Sequence, residues 1–322
     1  MSIKKVIDCI KKNKVFLITT HQNLEGDALG SEIAFYSLLR QLGKNATMVN
    51  QDPTPQEYRF LKGSRLIKRY RYDLRYKFDV LVVLDCSDKL RCGSVADLVA
   101  SGQPVINIDH HISNNKFGDI NWILPNASSA SEMVYQLYKN MRISIDNIAA
   151  EAIYVGILTD TGSFRYINTT SFTHRVVAEL LKFNLNASRI YRNIYESIPF
   201  SDISLLPKIL LTIDRYASGK IVTFKIRKRF LKNAKLYSFL SENVLSFGRS
   251  IRGSEVCVLF KEQQDKTGDI RVNLRSQGKV DVNRVAQFFG GGGHKTASGC
   301  TIKGNLESVK KRVIRKIREQ LK

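Results

Sequence analysis

The sequence predicts an α/β protein: a mostly parallel sheet with helices on both faces, followed by a smaller C-terminal α/β domain. Three observations carry this. Short apolar runs alternate with segments of helical spacing from the N-terminus to about residue 183. Three of those runs, Val15 to Ile18, Val80 to Leu84 and Val105 to Ile108, lead directly into His, Asp or Glu residues. A second alternation, with different spacing, resumes after a proline-containing stretch at 197–207.

Taken in order, Met1 to Lys12 reads as an amphipathic helix, and its scattered charges exclude a secretory signal. A strand over 14–20 leads into His21-Gln-Asn-Leu-Glu-Gly-Asp27. Ala28 to Leu42 is a helix that Gly43 stops, and Ala46 to Asn50 is a strand. Residues 59–77 hold eight basic side chains and one Asp among Phe60, Tyr70, Tyr72 and Tyr76. Such a segment is either a connector whose tyrosines cover the core or a surface that stacks on bases and pairs with phosphates. A strand at 79–84, a helix near 94–100 and a strand at 104–108 complete the alternation. Helices are expected at 131–141, 147–158 and 171–183. A domain boundary falls in 197–207, with a helix to about Arg215 bridging the parts, so the expected units are 1–196, a linker 197–214, and 215–322. In the last unit, strands are expected at 220–226, 254–260 and 269–276, and helices at 236–251, 282–289 and 306–321.

The chain has 322 residues, 43% hydrophobic and 25% charged, the composition of a globular protein with room for two cores. No apolar run approaches the roughly 20 residues of a membrane helix. Five cysteines with no CxxC pair fit free thiols in a reducing cytoplasm. The net charge is +22. Residues 208–322 carry 26 Lys and Arg against 9 Asp and Glu, so a net of +17 lies in the C-terminal third. Such a surface suits a polyanion, nucleic acid foremost.

Of five histidines, His21, His110 and His111 lie at strand ends beside Asp27, Asp85 and Asp109, and Asp160 ends a helix. His174 falls inside an amphipathic helix and is expected to be structural. Carboxylates gathered at one sheet edge repel one another, and a divalent cation is the usual remedy. An oxygen-rich set with imidazoles and no thiolate favours Mn²⁺ or Mg²⁺ over structural zinc. Two such ions sharing a carboxylate, roughly 3.5–4 Å apart, activate water for attack on phosphorus. The run Gly290-Gly-Gly-Gly-His294 after a helix could form an anion-binding nest, with Arg275 as a second phosphate contact.

Together, His21-Gln-Asn-Leu-Glu-Gly-Asp-Ala-Leu-Gly-Ser31, Leu84-Asp-Cys-Ser-Asp88, Asp109-His-His111, Gly156-Ile-Leu-Thr-Asp160 and Gly290-Gly-Gly-Gly-His294 resemble the DHH–DHHA1 phosphoesterase superfamily, in particular its nanoRNase group. The resemblance implies a DHH catalytic domain and a DHHA1 substrate-binding domain. It also implies hydrolysis of very short oligoribonucleotides to mononucleotides, with dephosphorylation of adenosine 3′,5′-bisphosphate besides. One cation, Mn²⁺ ahead of Mg²⁺, would be held by His21, the residue at position 25 and Asp85; a second by Asp27, Asp85, His110 and Asp160. Asp109 and His111 would be catalytic, Asp109 orienting a ligand and His111 facing the scissile phosphate. Arg275, Gly290, Gly291, Gly292, Gly293 and His294 would hold substrate across the cleft between the domains. The family usually has Asp where this chain has Glu25. Expected partners are short RNA or a dinucleotide and nucleotide phosphates, with no membrane and a homodimer as one admissible assembly. The same motifs fit a phosphodiesterase of cyclic di-AMP turnover, and, from another class, an inactive RNA- or nucleotide-binding module.

Overall fold

Strands that are apolar at every position, rather than every second one, belong inside a sheet covered on both faces. A computed structural model, which describes residues 3–197, 200–230, 238–263 and 268–321, shows this for the central strands. The chain divides into two compact units, Met1–Ile194 and Tyr195–Lys322. The first runs α1 (Ile3–Lys12), β1 (Val15–Thr19), α2 (Gly26–Gln41), β2 (Asn45–Asn50), β3 (Lys68–Arg69), β4 (Val80–Leu84), β5 (Val105–Asp109), β6 (Ile120–Ile123), α3 (Ala130–Met141), α4 (Asn147–Asp160), α5 (Ser171–Leu181) and α6 (Ala187–Tyr195), the last reaching the boundary.

Its six strands are all parallel, in the order β3-β2-β1-β4-β5-β6. The order reverses between β1 and β4, so a crevice is expected beyond the carboxyl ends of those strands. Leu17, Val49, Leu81 and Val83 face a cluster built with Cys92, Val95 and Ala96 from 3₁₀ turns over Lys89–Leu98. The helix expected near 94–100 is therefore a pair of 3₁₀ turns, broken at Gly93 by a φ of 62°. Tyr70 and Tyr76 pack against the same cluster, whereas Tyr72 is exposed.

The alternate strand residues turn to the layer of α2, α3 and α4. There α2 lies so close along α4 that a Cβ at Gly30 would strike the carbonyl of Ala152. One at Gly156 would strike Ser131 Oγ and lie 2.7 Å from Asp27 Oδ1.

Burial of α2 on nearly every side encloses Glu32, whose Oε2 accepts from Asn50 Nδ2 at 2.7 Å. Asn50 Oδ1 in turn accepts from the amide of Thr20, just before His21. Burial pushes the Glu32 carboxyl up to about 8, against the Asn50 hydrogen bond. Its folded value thus exceeds the unfolded one of about 4.3. The native state binds the extra proton, so stability is present below that value, falls as pH rises towards 8, and levels off above. Glu32→Gln is expected to remove this loss, on the order of a few kcal/mol. Urea midpoints at pH 5 and pH 8 check it, with wild type falling more steeply than the variant.

The second unit runs α7 (Phe200–Ile203), α8 (Leu206–Leu210), β7 (Asp214–Tyr216), β8 (Ile221–Ile226), α9 (Ser238–Ser250), β9 (Val256–Glu262), β10 (Asp269–Ser276), α10 (Val282–Phe288), β11 (Gly292–Gly293), β12 (Ala297–Lys303) and α11 (Leu306–Gln320). The helix expected to reach Arg215 is instead two short helices, and Arg215 lies in β7, paired with Val222. Residues 198–199 of the expected linker, and 236–237 of the helix expected at 236–251, lie outside the described residues. The sheet order is β11-β12-β10-β9-β8-β7, antiparallel except for β8 with β9. Val256, Val258 and Phe260 face α10 and α11, while Cys257 and Leu259 face α8 and α9. Strict alternation along β9 makes this second sheet the middle layer of three.

Candidate metal centre

Strand ends at the switch point deliver the site. His21 follows β1, Asp85 follows β4, and Asp109 closes β5 with His110 and His111 behind it. Asp27 comes from the first turn of α2 and Asp160 ends α4. Asp85 takes a φ of 52°, a left-handed conformation that Asp tolerates better than most residues. This turns its carboxylate between three imidazoles. Its Oδ2 lies 3.5 Å from His21 Nε2, and its Oδ1 lies 3.5 Å from His110 Nε2 and 3.6 Å from His111 Nδ1. His110 Nε2 is also 3.7 Å from Asp27 and 3.6 Å from Asp160.

Each side chain is held from behind. Asp27 accepts from the amides of Ala130 and Ser131, at 2.6 and 2.9 Å, at the start of α3, where a helix favours negative charge. His21 Nδ1 lies 2.7 Å from the Gln22 carbonyl and His110 Nδ1 3.2 Å from that of Ala127, which leaves Nε2 of both rings towards the carboxylates. Asp109, fully buried, binds His111 Nδ1 at 2.7 Å and accepts from Asn114 Nδ2 at 2.6 Å. Asn114 also reaches Asn107 Oδ1 and the Cys86 carbonyl, and Asn168 donates to Asp160. Sequence reasoning did not single out Asn114 or Asn168. The signal for the former was a polar Ser113-Asn-Asn115 stretch one residue after the histidine pair.

The electrostatics show a crowded set. Burial and the neighbouring Asp85 charge push Asp27 up to about 6, against His110 and the Ser131 hydrogen bonds. Burial, with Asp27 and Asp85, lifts Asp160 well above the carboxylate range despite His110. Burial opposes charge on His110, yet Asp160, Asp85 and Asp27 raise it well above the ordinary histidine value. Burial likewise opposes ionisation of Asp85, but His110 and His21 hold it well below the usual range. So many buried carboxylates in one place call for a counter-charge, which a divalent cation supplies. Asp85 Oδ1 is buried and accepts no hydrogen bond. Donor atoms of Asp27, Asp85 and His110 lie within 4.8 Å of one another, as do those of Asp85, Asp109 and His111. The arrangement fits metal binding, with Asp85 common to both groups.

Glu25 is exposed at the N-cap of α2 and makes no capping hydrogen bond with its side chain, although its charge acts on His21 and Asp160. His174 is exposed on α5, beside the ring of Phe164. Arg275, Gly290 to Gly293 and His294 belong to the second unit. Arg275, on β10, is ion-paired with Glu242 of α9, through Nε at 3.3 Å and through Nη2. The amides of Gly290 and Gly291 bond the carbonyls of Gln287 and Ala286, closing α10, so those two do not face a nest. Gly292 and Gly293 pair with Gly299 and Ser298, and a Cβ at Gly291 would strike the Gly299 carbonyl. His294 sits in the turn of that hairpin, its amide bonded to the Ala297 carbonyl at 2.7 Å. Close backbone approach, rather than open amides, explains the need for glycine here.

A centre of Asp and His at the carboxyl edge of a parallel sheet, followed by a mixed-sheet unit, defines the class: the chain belongs to the DHH family. The model of the DHH family N-terminal domain matches residues 15–157, and that of the DHHA1 domain matches 240–322. Among relatives, the chain is 32% identical over 308 residues to the bifunctional oligoribonuclease and PAP phosphatase NrnA of Thermus thermophilus, spanning 94% of this chain and 89% of that one. It is 29% identical to the NrnA of Bacillus subtilis, over 92% of both chains. The crystal structure of an exopolyphosphatase-related protein from Bacteroides fragilis superposes with a TM-score of 0.87 at 27% identity, covering 99% of this chain and 97% of that one. The protein is accordingly a phosphoesterase of the DHH family.

Proposed function

We propose that the protein hydrolyses the phosphodiester bonds of very short oligoribonucleotides to mononucleotides and also removes the 3′-phosphate of adenosine 3′,5′-bisphosphate. The observation that carries this is the buried Asp85 carboxylate, 3.5 Å from His21 on one side and from His110 on the other, in a chain similar over almost its whole length to NrnA proteins. His21, Glu25 and Asp85 would hold one divalent cation, and Asp27, Asp85, His110 and Asp160 a second. Such ions, Mn²⁺ in preference to Mg²⁺, would supply charge stabilisation at phosphorus and an activated water. The chain's own groups do the rest. Asp109 fixes the His111 ring through Nδ1, and His111 would turn its imidazole to a phosphoryl oxygen of the substrate. Asp27, clamped by the α3 amides, keeps its place as charge in the site changes. Arg275 would exchange Glu242 for a substrate phosphate, and His294 with the glycine hairpin would contact the nucleotide. Five free cysteines, all buried, fit a cytoplasmic setting, and among the described residues no helix is long and apolar enough to cross a membrane.

The test is turnover of diadenylate, five-nucleotide RNA, adenosine 3′,5′-bisphosphate, pyrophosphate and cyclic di-AMP with Mn²⁺. Hydrolysis of the first three is expected. Turnover confined to pyrophosphate or cyclic di-AMP refutes the assignment.

Glu25 gives a narrower prediction. The backbone around it is fixed, with Leu24 and Gly26 buried, but the Glu25 side chain is exposed and can bend to absorb the extra methylene relative to Asp. Glu25→Asp is expected to stay within a few-fold of wild type, with better use of Mg²⁺, which demands stricter geometry. Glu25→Ala is expected to need roughly tenfold more Mn²⁺ for half-maximal activity, an amount equal to about 1.4 kcal/mol of binding. Full activity and unchanged metal content in Glu25→Ala would remove this residue from the ligand set.

A further inference from the structure

The basic segment after β2 has parted into two roles. Its tyrosines 70 and 76 line the core, whereas Arg59, Arg65 and Arg69 converge on an open groove of about 360 Å³ with Asp52, Thr54 and Ser64. The groove is built by the fold. Ser64 Oγ donates to the Arg59 carbonyl at 3.1 Å, and Arg59 Nε donates to the Thr54 carbonyl at 3.4 Å. Gly63 presses the Ser64–Leu66 turn onto α2, where a Cβ would meet Ile33 at 2.5 Å. Arg65 and Arg69 are exposed and form no ion pair among the described residues. Three guanidinium groups thus face one carboxylate, a local excess of positive charge.

Position gives the groove its meaning. Asp52 follows β2 and Arg69 ends β3, so the groove opens at the same carboxyl edge of the sheet as His21, Asp85 and Asp109. Adjacent strands lie about 4.8 Å apart, and β2 is the immediate neighbour of β1. The two sites are also joined covalently and by a hydrogen bond: Asp52 Oδ2 accepts from the amide of Asn23 at 2.6 Å, inside the His21–Asp27 loop.

We propose that this groove binds backbone phosphates of the RNA chain lying beyond the scissile linkage, and so sets a preference for substrates longer than two nucleotides. Forked guanidinium groups match phosphate oxygens in pairs and carry no base information, which suits a chain of any sequence. A dinucleotide has no second internucleotide phosphate to offer the groove. This rests on the hydrolytic reading above, and the experiment separates the two.

Arg65→Glu/Arg69→Glu, the milder Arg65→Gln/Arg69→Gln, and a control of equal charge loss, Lys311→Glu/Arg318→Glu on α11, are compared with wild type. The first readout is the ratio of kcat/KM for five-nucleotide RNA to that for diadenylate. The second is binding of fluorescent five-nucleotide RNA as a function of salt. The ratio is expected to fall about tenfold in the Glu pair, through KM, and less in the Gln pair. The salt slope is expected to drop by about two, one per lost phosphate contact. An unchanged ratio and slope, an equal fall in the α11 control, or loss of AMP binding with RNA binding intact each overturns the proposal. Wild type that binds RNA with this slope yet hydrolyses neither substrate would refute the hydrolytic reading and leave the groove standing.

Discussion

Asp85→Asn is expected to lower turnover by three orders of magnitude or more while leaving the protein folded. The carboxylate lies 3.5 Å from His21 through one oxygen and 3.5 Å from His110 through the other, one imidazole from each proposed ligand set, so its loss is expected to weaken the hold on each cation at once. Asn suits the experiment better than Ala, since it keeps the shape and tolerates the φ of 52° at this position. Removing the charge relieves Asp27, whose value is raised partly by Asp85, but it also leaves His21 and His110 without the Asp85 anion that both face, so the ion-free protein is expected to stay folded with a somewhat lower thermal midpoint. Turnover and metal content by elemental analysis check this together with the thermal midpoint. Near-normal turnover in a folded, metal-depleted Asp85→Asn sample excludes a shared carboxylate.

Asp109→Asn is expected to be the second most damaging change, with kcat reduced a hundredfold or more and KM little altered. Asp109 fixes the His111 ring, and an amide there would offer either the wrong partner or a different tautomer. Rescue by Asp109→Glu is expected to be poor, because the buried carboxylate already meets Asn114 on its other oxygen. Burial works against the charge of Asp109, but His111 overcomes it and holds the group down to about 2. With the folded value below the unfolded one of about 3.9, the group contributes stability above pH 4 that disappears as pH falls through 2. That contribution is on the order of 2–3 kcal/mol at neutral pH. Wild type should therefore lose more urea resistance between pH 5 and pH 2.5 than Asp109→Asn does. Parallel loss in both proteins would show that Asp109 is not ionised in the native state.

The sequence was most informative where strands are buried on both faces. β4 is a continuous apolar run, β1 is one up to Thr19 and β5 is one but for Asn107 and the closing Asp109, and ligand-type residues close each strand or follow within two positions. The first unit's strand order could not be read, because nothing local tells β1 to sit between β2 and β4. Strands β3 and β6 were not legible because one has two residues and the other, Ile120–Ile123, only four, too few to show a period. β12 does alternate, with Ser298, Cys300 and Ile302 buried, but the preceding glycines drew attention to a loop. Gly93 lies just before the segment read as helical, and its positive φ breaks the Lys89–Leu98 stretch into separate turns. The pairing of Arg275 with Glu242 joins residues 33 positions apart, so only the folded β10–α9 contact reveals it. Exposure of Glu25 is equally invisible in a one-letter string, because its motif neighbours His21 and Asp27 are both buried.

The close approach of α2 and α4 bears on how such a protein can change over generations. At Gly156 even one added methyl group meets Ser131 and the Asp27 carboxylate, so a helix-packing position and a ligand position are the same place. In many enzymes the scaffold drifts freely while the reactive residues stay fixed. Here drift at the α2–α4 seam would move a ligand, and improvements in rigidity would be inherited together with altered turnover. Variation is thus channelled elsewhere, towards the exposed arginine-bearing turn and the outer face of α11, where new substrate preferences can arise without disturbing the centre.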